Sequence, residues 1–367
     1  MKIKSMKNII PSFISIIAGL VLGAIIILIS GDNPFTIYYS MLIKPLSNIK
    51  NILNVFYTMT PLIVTAMSFL IASNAGMINL GIEGQLLLGS LAGVYVATLF
   101  PFLPWYIYIP VIMIVSMLIG ALWSLLPGYL KIRFGASEIV TCIMLNYIAE
   151  FIINFVISSG LFKHATIDQR TPYILENAHF SSLSEIGMGM GTKAMRGVQL
   201  NAMFLIAIVL VILVYILLKK TKWGYKIRGI GNNINATTAN RINSKKIMLI
   251  AMALSGAVAG ISVTGEVLGT FNGLVEGFSP GYGFSGISVA LLGQSHPIGA
   301  VFAALFFGVL NQGMVYLGTG TNIPKDFAKI LQTVIMIFIV ISPYVSQRWA
   351  EFSLKMSRGR KEEMIND

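Results

Sequence analysis

Polar joints divide this sequence into a succession of apolar stretches, most of them close to the roughly 20 residues that a helix needs to cross a bilayer. The stretches run over residues 9–30, 52–73, 85–100, 105–128, 137–160, 201–218, 247–269, 284–295, 298–317 and 327–345, with Gly, Pro, Asn or charge at the joints. In lipid each backbone polar group must be satisfied within its own segment, so a chain built this way folds as helices. The expectation is an all-α membrane protein of about ten transmembrane helices. Residues 1–346 form one polytopic domain on this reading. Composition agrees. With 56% hydrophobic and 11% charged residues and a mean hydropathy of +0.79, there is too little polar surface to cover a water-soluble globule. The segments 85–100 and 284–295 are short and read as partial or broken helices. The stretch from Ile9 to Ile29 has the basic start of a signal peptide. It is long, however, and no small-residue cleavage site follows, so it reads as the first spanning helix.

The net charge is +12, and its distribution decides what it means. Basic residues gather at Lys2, Lys4 and Lys7, at Lys131 and Arg133, from Lys219 to Lys246, and from Arg348 to Lys361, each cluster flanking an apolar segment. Cytoplasmic loops carry such an excess. With the N-terminus inside, all clusters fall on that side, as do the loop 219–246, the C-terminus and a tail over 347–367, while the polar stretch 161–200 falls outside. That outer stretch is a natural dock for an external partner or a plain solvated loop. No interleaved aromatics or binding module accompany the lysines, which argues against nucleic acid. Cys142 is the only cysteine, and His164, His179 and His296 lie far apart without metal-ligand spacing, so no metal site is expected.

Four segments carry more than hydropathy. Asn74–Gln85, NAGMINLGIEGQ, sets amides, glycines and a carboxylate between two apolar helices. Such groups survive at membrane depth where protein or a water-filled cavity surrounds them, which makes Asn79, Glu83 and Gln85 candidates for a solute path; a plain turn with Glu83 solvated is the competing reading. In Gly135–Phe151, Ser137 can cap a helix with Glu138 in its first turn. Asn146 and Glu150, four apart, share a helix face. That polar strip either lines a pathway or glues helices together. Lys219–Lys246 is longer and more basic than a turn requires, and NATTAN within it suits a short helix capped by Asn232 or Asn233. Contact with anionic lipid would explain its lysines but not the Gly-Asn-small pattern. Phe271–Pro297 is rich in glycine and implies a broken helix. Gly81–Ala92 is loosely echoed by Gly283–Gly293, which suggests two related halves.

No phosphate-binding loop, nucleophile elbow, HExxH or dinucleotide fingerprint is present, so an enzyme has no residues to stand on. An energised transporter without a nucleotide site either borrows an ATPase or uses an ion gradient. In the second case Glu83, Glu138, Glu150 and Glu266 would be the proton or cation sites.

The four motifs, NAGMINLGIEGQ, GASEIVTCIMLNYIAEF, GNNINATTANRIN and GFSGISVALLGQSHPIGA, occur in order between about residues 52 and 345 and resemble the permease family of bacterial ABC importers for simple sugars, nucleosides and branched-chain amino acids. The similarity is greatest to the nucleoside branch. The resemblance implies a transport subunit of the cytoplasmic membrane that carries no cofactor itself, with ATP and Mg on a separate cytoplasmic ATPase. It also implies a second, non-identical permease and an external substrate-binding lipoprotein or periplasmic protein. Glu138, Asn146 and Tyr147 join Asn79, Glu83 and Gln85 as expected path residues, with Tyr147 as a stacking partner. Gly231, Asn232, Ala236 and Ala239 are implied in the coupling helix that inserts into the ATPase. Arg241 stands where the family usually has glycine, so the turn after that helix is a point of departure.

Overall fold

The computed structural model describes residues 17–29, 31–159, 170–190 and 195–320, with 330, 333–334 and 337–338. In chain order the helices are α1 (Ile17–Ile29), α2 (Pro34–Tyr38), α3 (Ile49–Ser73), α4 (Ile82–Ala97), α5 (Trp105–Phe134), α6 (Glu138–Ser158), α7 (Leu183–Gly189), α8 (Met203–Lys220), α9 (Lys222–Asn232), α10 (Ile234–Ala239), α11 (Ser244–Gly260), α12 (Tyr282–Leu292) and α13 (Pro297–Gly320). Among the described residues there is no strand, and two isolated bridges join Arg170 to Val275 and Ser182 to Asn201. Five helices, α3, α5, α6, α8 and α13, are long and apolar enough to cross a membrane, and α1, α4 and α12 are shorter apolar helices. The basic groups at Lys2–Lys7 and Arg348–Lys361, most of the apolar segment 327–345, the tail 347–367, His164 and parts of the 161–200 stretch lie outside the described residues.

Local chemistry sets many of the helix ends. Asn48, Thr221, Asn233 and Asn243 accept from backbone N–H groups two or three residues into α3, α9, α10 and α11, satisfying donors that a helix start leaves free. Gly135, with φ of 70°, ends α5 in the left-handed region. Ser137 occupies the cap position of α6 but its hydroxyl makes no capping bond, so the first-turn carboxylate of Glu138 is what favours that helix start.

The chain divides into two compact units: Leu46–Gln312, and Met1–Pro45 with Gly313–Asp367. In the smaller unit, Gly313 lies against the Met41 backbone, and Lys44 sits 5.3 Å from the Tyr316 ring centroid. The larger unit is built around α3, which is almost wholly buried, while α5, α6 and α8 turn much of their apolar surface outward. That is the distribution expected of a bundle in lipid, where burial inside the protein is not what removes apolar side chains from water. Its tightest seam joins α5 to α11. A methyl group on Gly120 would fall 2.3 Å from the Gly256 carbonyl oxygen, one on Gly256 2.3 Å from that of Gly120, and one on Gly260 2.2 Å from that of Ser116. Such packing brings backbones together where side chains would hold them apart.

One end of this unit is covered by residues 170–190 and 195–201. Thr171 N–H donates to the Leu274 carbonyl at 2.9 Å, Phe180 N–H to Leu268 at 3.0 Å and Leu175 N–H to Ala97 at 3.4 Å. Asn177 donates to Leu103 O at 2.5 Å, and the Arg170 guanidinium to Phe271 O at 2.7 Å while lying over the Tyr173 ring. The stretch is therefore laced onto the helix ends rather than merely solvated. Within it, Ser182 and Glu185 form a capping box at the start of α7. Burial pushes the Glu185 carboxyl up, but hydrogen bonds from His179 and Ser182 outweigh it and hold the group below its ordinary value.

Candidate functional site

Two helices begin inside the larger unit rather than at its ends. α4 has 16 residues and α12 has 11, or about 24 and 17 Å at 1.5 Å per residue, short of the roughly 30 Å hydrocarbon core. Their first turns abut: a methyl on Gly283 would lie 2.5 Å from the Glu83 amide nitrogen. They also run apart. α4 ends at Ala97 beneath the cover of residues 170–190 and 195–201, and α12 ends three residues before Ser295, which shares a cavity with Ser73 and Gly231 at the opposite end. The two halves of the sequence echo are thus an opposed pair of part-length helices meeting N-terminus to N-terminus, an arrangement that transporters use at their solute paths.

Carboxylates hold the start of α12. Glu83 Oε1 accepts from Ser279 Oγ at 2.5 Å and Oε2 from Gly283 N–H at 2.6 Å. Glu266, in a π-helical turn over Glu266–Thr270, accepts from the Tyr282 hydroxyl at 2.7 Å, and Tyr57 and Thr270 share a hydroxyl bond of 2.7 Å beside it. Amides hold the start of α4. Asn79 and Gln85 exchange two hydrogen bonds of 2.9 Å, Asn79 also donates to Ser255 Oγ at 2.8 Å, and Gly81 N–H donates to Asn79 Oδ1 at 3.0 Å. Asn146 accepts from Gly84 N–H at 2.8 Å and donates to Leu80 O at 2.9 Å.

Beside this junction lies a cavity of about 340 Å³ lined by Glu83, Asn146, Tyr147, Glu150, Asn154, Glu276 and Phe284 among others. Its lining, all of it in described residues, carries three carboxylates and no cation. Of the residues singled out from sequence, Glu83, Asn146 and Tyr147 come together here. Asn79 and Gln85 do not. Both are 0% exposed because their amides are spent on each other, on Gly81 and on Ser255. Glu138 also stands apart, paired with Lys131 across the turn between α5 and α6. Glu150 and Asn154 extend the Asn146 strip at i+4 and i+8, so periodicity alone could have added Asn154. Glu276, Ser279 and Phe284 carried no comparable signal in the glycine-rich stretch.

The loop after α8 forms two short helices. Gly231, at the end of α9, packs on the turn after α3, where a methyl would fall 2.2 Å from the Asn74 carbonyl oxygen. Asn232, Ala236, Ala239 and Arg241 are exposed, and Asn233 is the residue that caps α10. Arg241 adopts φ of 58°, the left-handed conformation that glycine takes freely, at a cost of about 1 kcal/mol for a residue with a Cβ. Among the described residues no three His, Cys, Asp or Glu side chains are grouped to hold a metal.

Apolar helices interrupted at a polar, cavity-bearing junction define a polytopic membrane transport protein. More particularly, the chain belongs to the family of permease components of the branched-chain amino acid transport system, whose model matches residues 51–340. It is 35% identical to the nucleoside ABC transporter permease NupB of Lactococcus lactis, over 92% of each chain. It is 32% identical to the guanosine ABC transporter permease NupP of Bacillus subtilis, over 93% of this chain and 95% of that one. To a glucose ABC transporter permease of Haloferax volcanii it is 26% identical, over 90% and 87%. No solved structure matches the chain.

Proposed function

We propose that this chain is the membrane-spanning subunit of an ATP-driven importer that moves nucleosides across a bacterial cytoplasmic membrane by alternating access. The observation that carries the reading is the pair of part-length helices meeting at Glu83 beside a cavity of about 340 Å³, a size within the roughly 300–1,000 Å³ usual for small-ligand sites. Tyr147 and Phe284 offer aromatic faces to a base, and Asn154, Glu150 and Glu276 offer acceptors and donors to hydroxyl and amino groups. A lining with three carboxylates and no cation repels phosphate, so the solute is the nucleoside and not its nucleotide. Asn79, Gln85 and Asn146 brace the junction, while Glu83 faces the solute. Glu138 takes no part in the path on this reading.

The subunit gates and a separate ATPase supplies the energy, holding ATP and Mg. Asn232, Ala236, Ala239 and Arg241 form the surface that meets that ATPase, and Gly231 transmits its movement to the turn after α3. A second, non-identical permease and an external binding protein complete the assembly. About ten crossings, with both termini and α9–α10 in the cytoplasm and the stretch 161–200 outside, accord with the basic clusters. The test is uptake into proteoliposomes holding the full assembly. ATP-dependent guanosine or adenosine uptake, competed by other nucleosides and not by glucose, is expected. Competition by glucose at equal concentration overturns the substrate assignment, and uptake driven by a proton gradient without ATP overturns the mechanism.

A further inference from the structure

A second cavity, of about 390 Å³, opens where the ends of α3, α8 and α9 meet the turn after α12. Lys219 and Arg228 line it together with Ser73, Asn74, Asn232 and Ser295, and its lining contains no carboxylate. Arg228 spends only its Nε, in a long 3.4 Å bond to the Gly224 carbonyl. Neither cation has an ion-pair partner among the described residues. The local field is felt next door: partial burial and the Lys219 charge together hold His296, just before α13, below its ordinary value.

The residues around the cavity point to its occupant. α8 ends in Lys219 and Lys220, and α9 leaves it so sharply that a methyl on Gly224 would fall 2.0 Å from the Leu217 carbonyl oxygen. α9 then exposes Trp223 and Tyr225, with the Lys226 ammonium 5.4 Å from the Trp223 ring centroid. Exposed Trp, Tyr and Lys at the end of a spanning helix mark the depth of lipid headgroups. The exposed face of α10 differs, presenting Ile234 and the small side chains Ala236 and Ala239 and no lysine. On the function proposed above, on which this inference rests, a partner protein meets α10, Asn232 marks the border where that surface reaches the cavity, and Lys219 and Arg228, on α8 and α9, are left for lipid. A phosphodiester fits them: one negative charge and oxygens that accept from a guanidinium fork, an ammonium and neutral donors at once.

We propose that this cavity binds the phosphate of an anionic phospholipid headgroup, with Lys219 and Arg228 supplying the charge. The bound headgroup braces α9 against α3 through the wall that Gly231 contributes, so lipid composition tunes the loop that docks the ATPase.

The test uses the purified full-length chain in neutral detergent, with phosphatidylglycerol, phosphatidylcholine or inorganic phosphate added and binding read by native mass spectrometry and thermal melting. Phosphatidylglycerol is expected to bind and stabilise, and phosphatidylcholine is not. The variant Lys219→Gln/Arg228→Gln is expected to weaken phosphatidylglycerol binding about tenfold or more, while Lys245→Gln, an equal loss of charge elsewhere, leaves it unchanged. Lys219→Gln alone, at an exposed position, gives the same reading if the double variant does not fold. Binding that the cavity variants leave intact, or that phosphatidylcholine equals, overturns the proposal. Stabilisation by inorganic phosphate alone, dependent on Lys219, overturns the headgroup as source and assigns the site to the free anion. In the full assembly, loss of ATPase co-purification by the same variant, with lipid binding by the chain alone unchanged, gives the cations to the partner and likewise overturns it.

Discussion

The starts of α4 and α12 lie against each other, echo each other in sequence, and are held by opposite chemistry. α4 begins in a ring of neutral amides, Asn79, Gln85 and Asn146, whose hydrogen bonds are nearly all made within the bundle. α12 begins on two carboxylates, Glu83 from the start of α4 and Glu266 from the π-helical turn before it. A closed ring of buried amides has nothing to gain from rearranging, because each broken bond leaves a group with no water to turn to. A carboxylate at a helix start beside a cavity can trade its bond for water or solute. Rearranging the start of α4 therefore costs more than rearranging the start of α12.

Variants can break or sharpen this contrast. The largest effect is expected from Gly283→Leu, since its Cβ would meet the Glu83 nitrogen at 2.5 Å and Cα at 2.8 Å. Backbone cannot yield as a side chain can, so the helices part at a cost of about 3 kcal/mol or more. Monodisperse protein should be lost from detergent extracts, and normal recovery would refute the abutment. Next is Asn79→Ala, which strands Gly81 N–H and the Gln85 amide, while the Ser255 hydroxyl keeps its bond to the Ser68 carbonyl. It should cost about 2–3 kcal/mol, seen as a lower melting temperature, with KM for uptake unchanged in the fraction that folds. A raised KM at normal stability would instead place Asn79 on the path. Glu83→Gln should do the reverse, slowing uptake severely while costing about 1 kcal/mol in stability. The smallest stability effect is expected from Tyr147→Ala, exposed at 58%: within about 0.5 kcal/mol, with KM about tenfold higher, or 1.4 kcal/mol. An unchanged KM would remove the aromatic face from the site.

Hydropathy made most of the helices legible, but α5 runs on through the basic residues to Phe134, and the segment expected over 247–269 is an α-helix only to Gly260, with a π-helical turn over Glu266–Thr270 near its end. Glu83 and the strip through Asn146 stood out in the sequence as polar groups among apolar helices, though each had two readings there, and the structure lays both along the cavity. The roles of Asn79 and Gln85 were not. They are six apart, off the spacing of a helix face, and meet because Asn79 lies outside α4, in the segment that turns into it at Gly81, while Gln85 lies in its first turn. Nor could Glu83 be matched to Gly283, since 200 residues separate them and only the faint echo linked the two segments. Arg241 was marked from sequence as a departure in its turn, and the backbone there takes the glycine conformation regardless.

The glycine seam between α5 and α11 has a mechanical consequence. Two rods whose carbonyl groups interlock at Gly120, Gly256 and Gly260 cannot slide along one another without lifting apart first. They are therefore a single beam, in which any displacement of one rod carries the other with it.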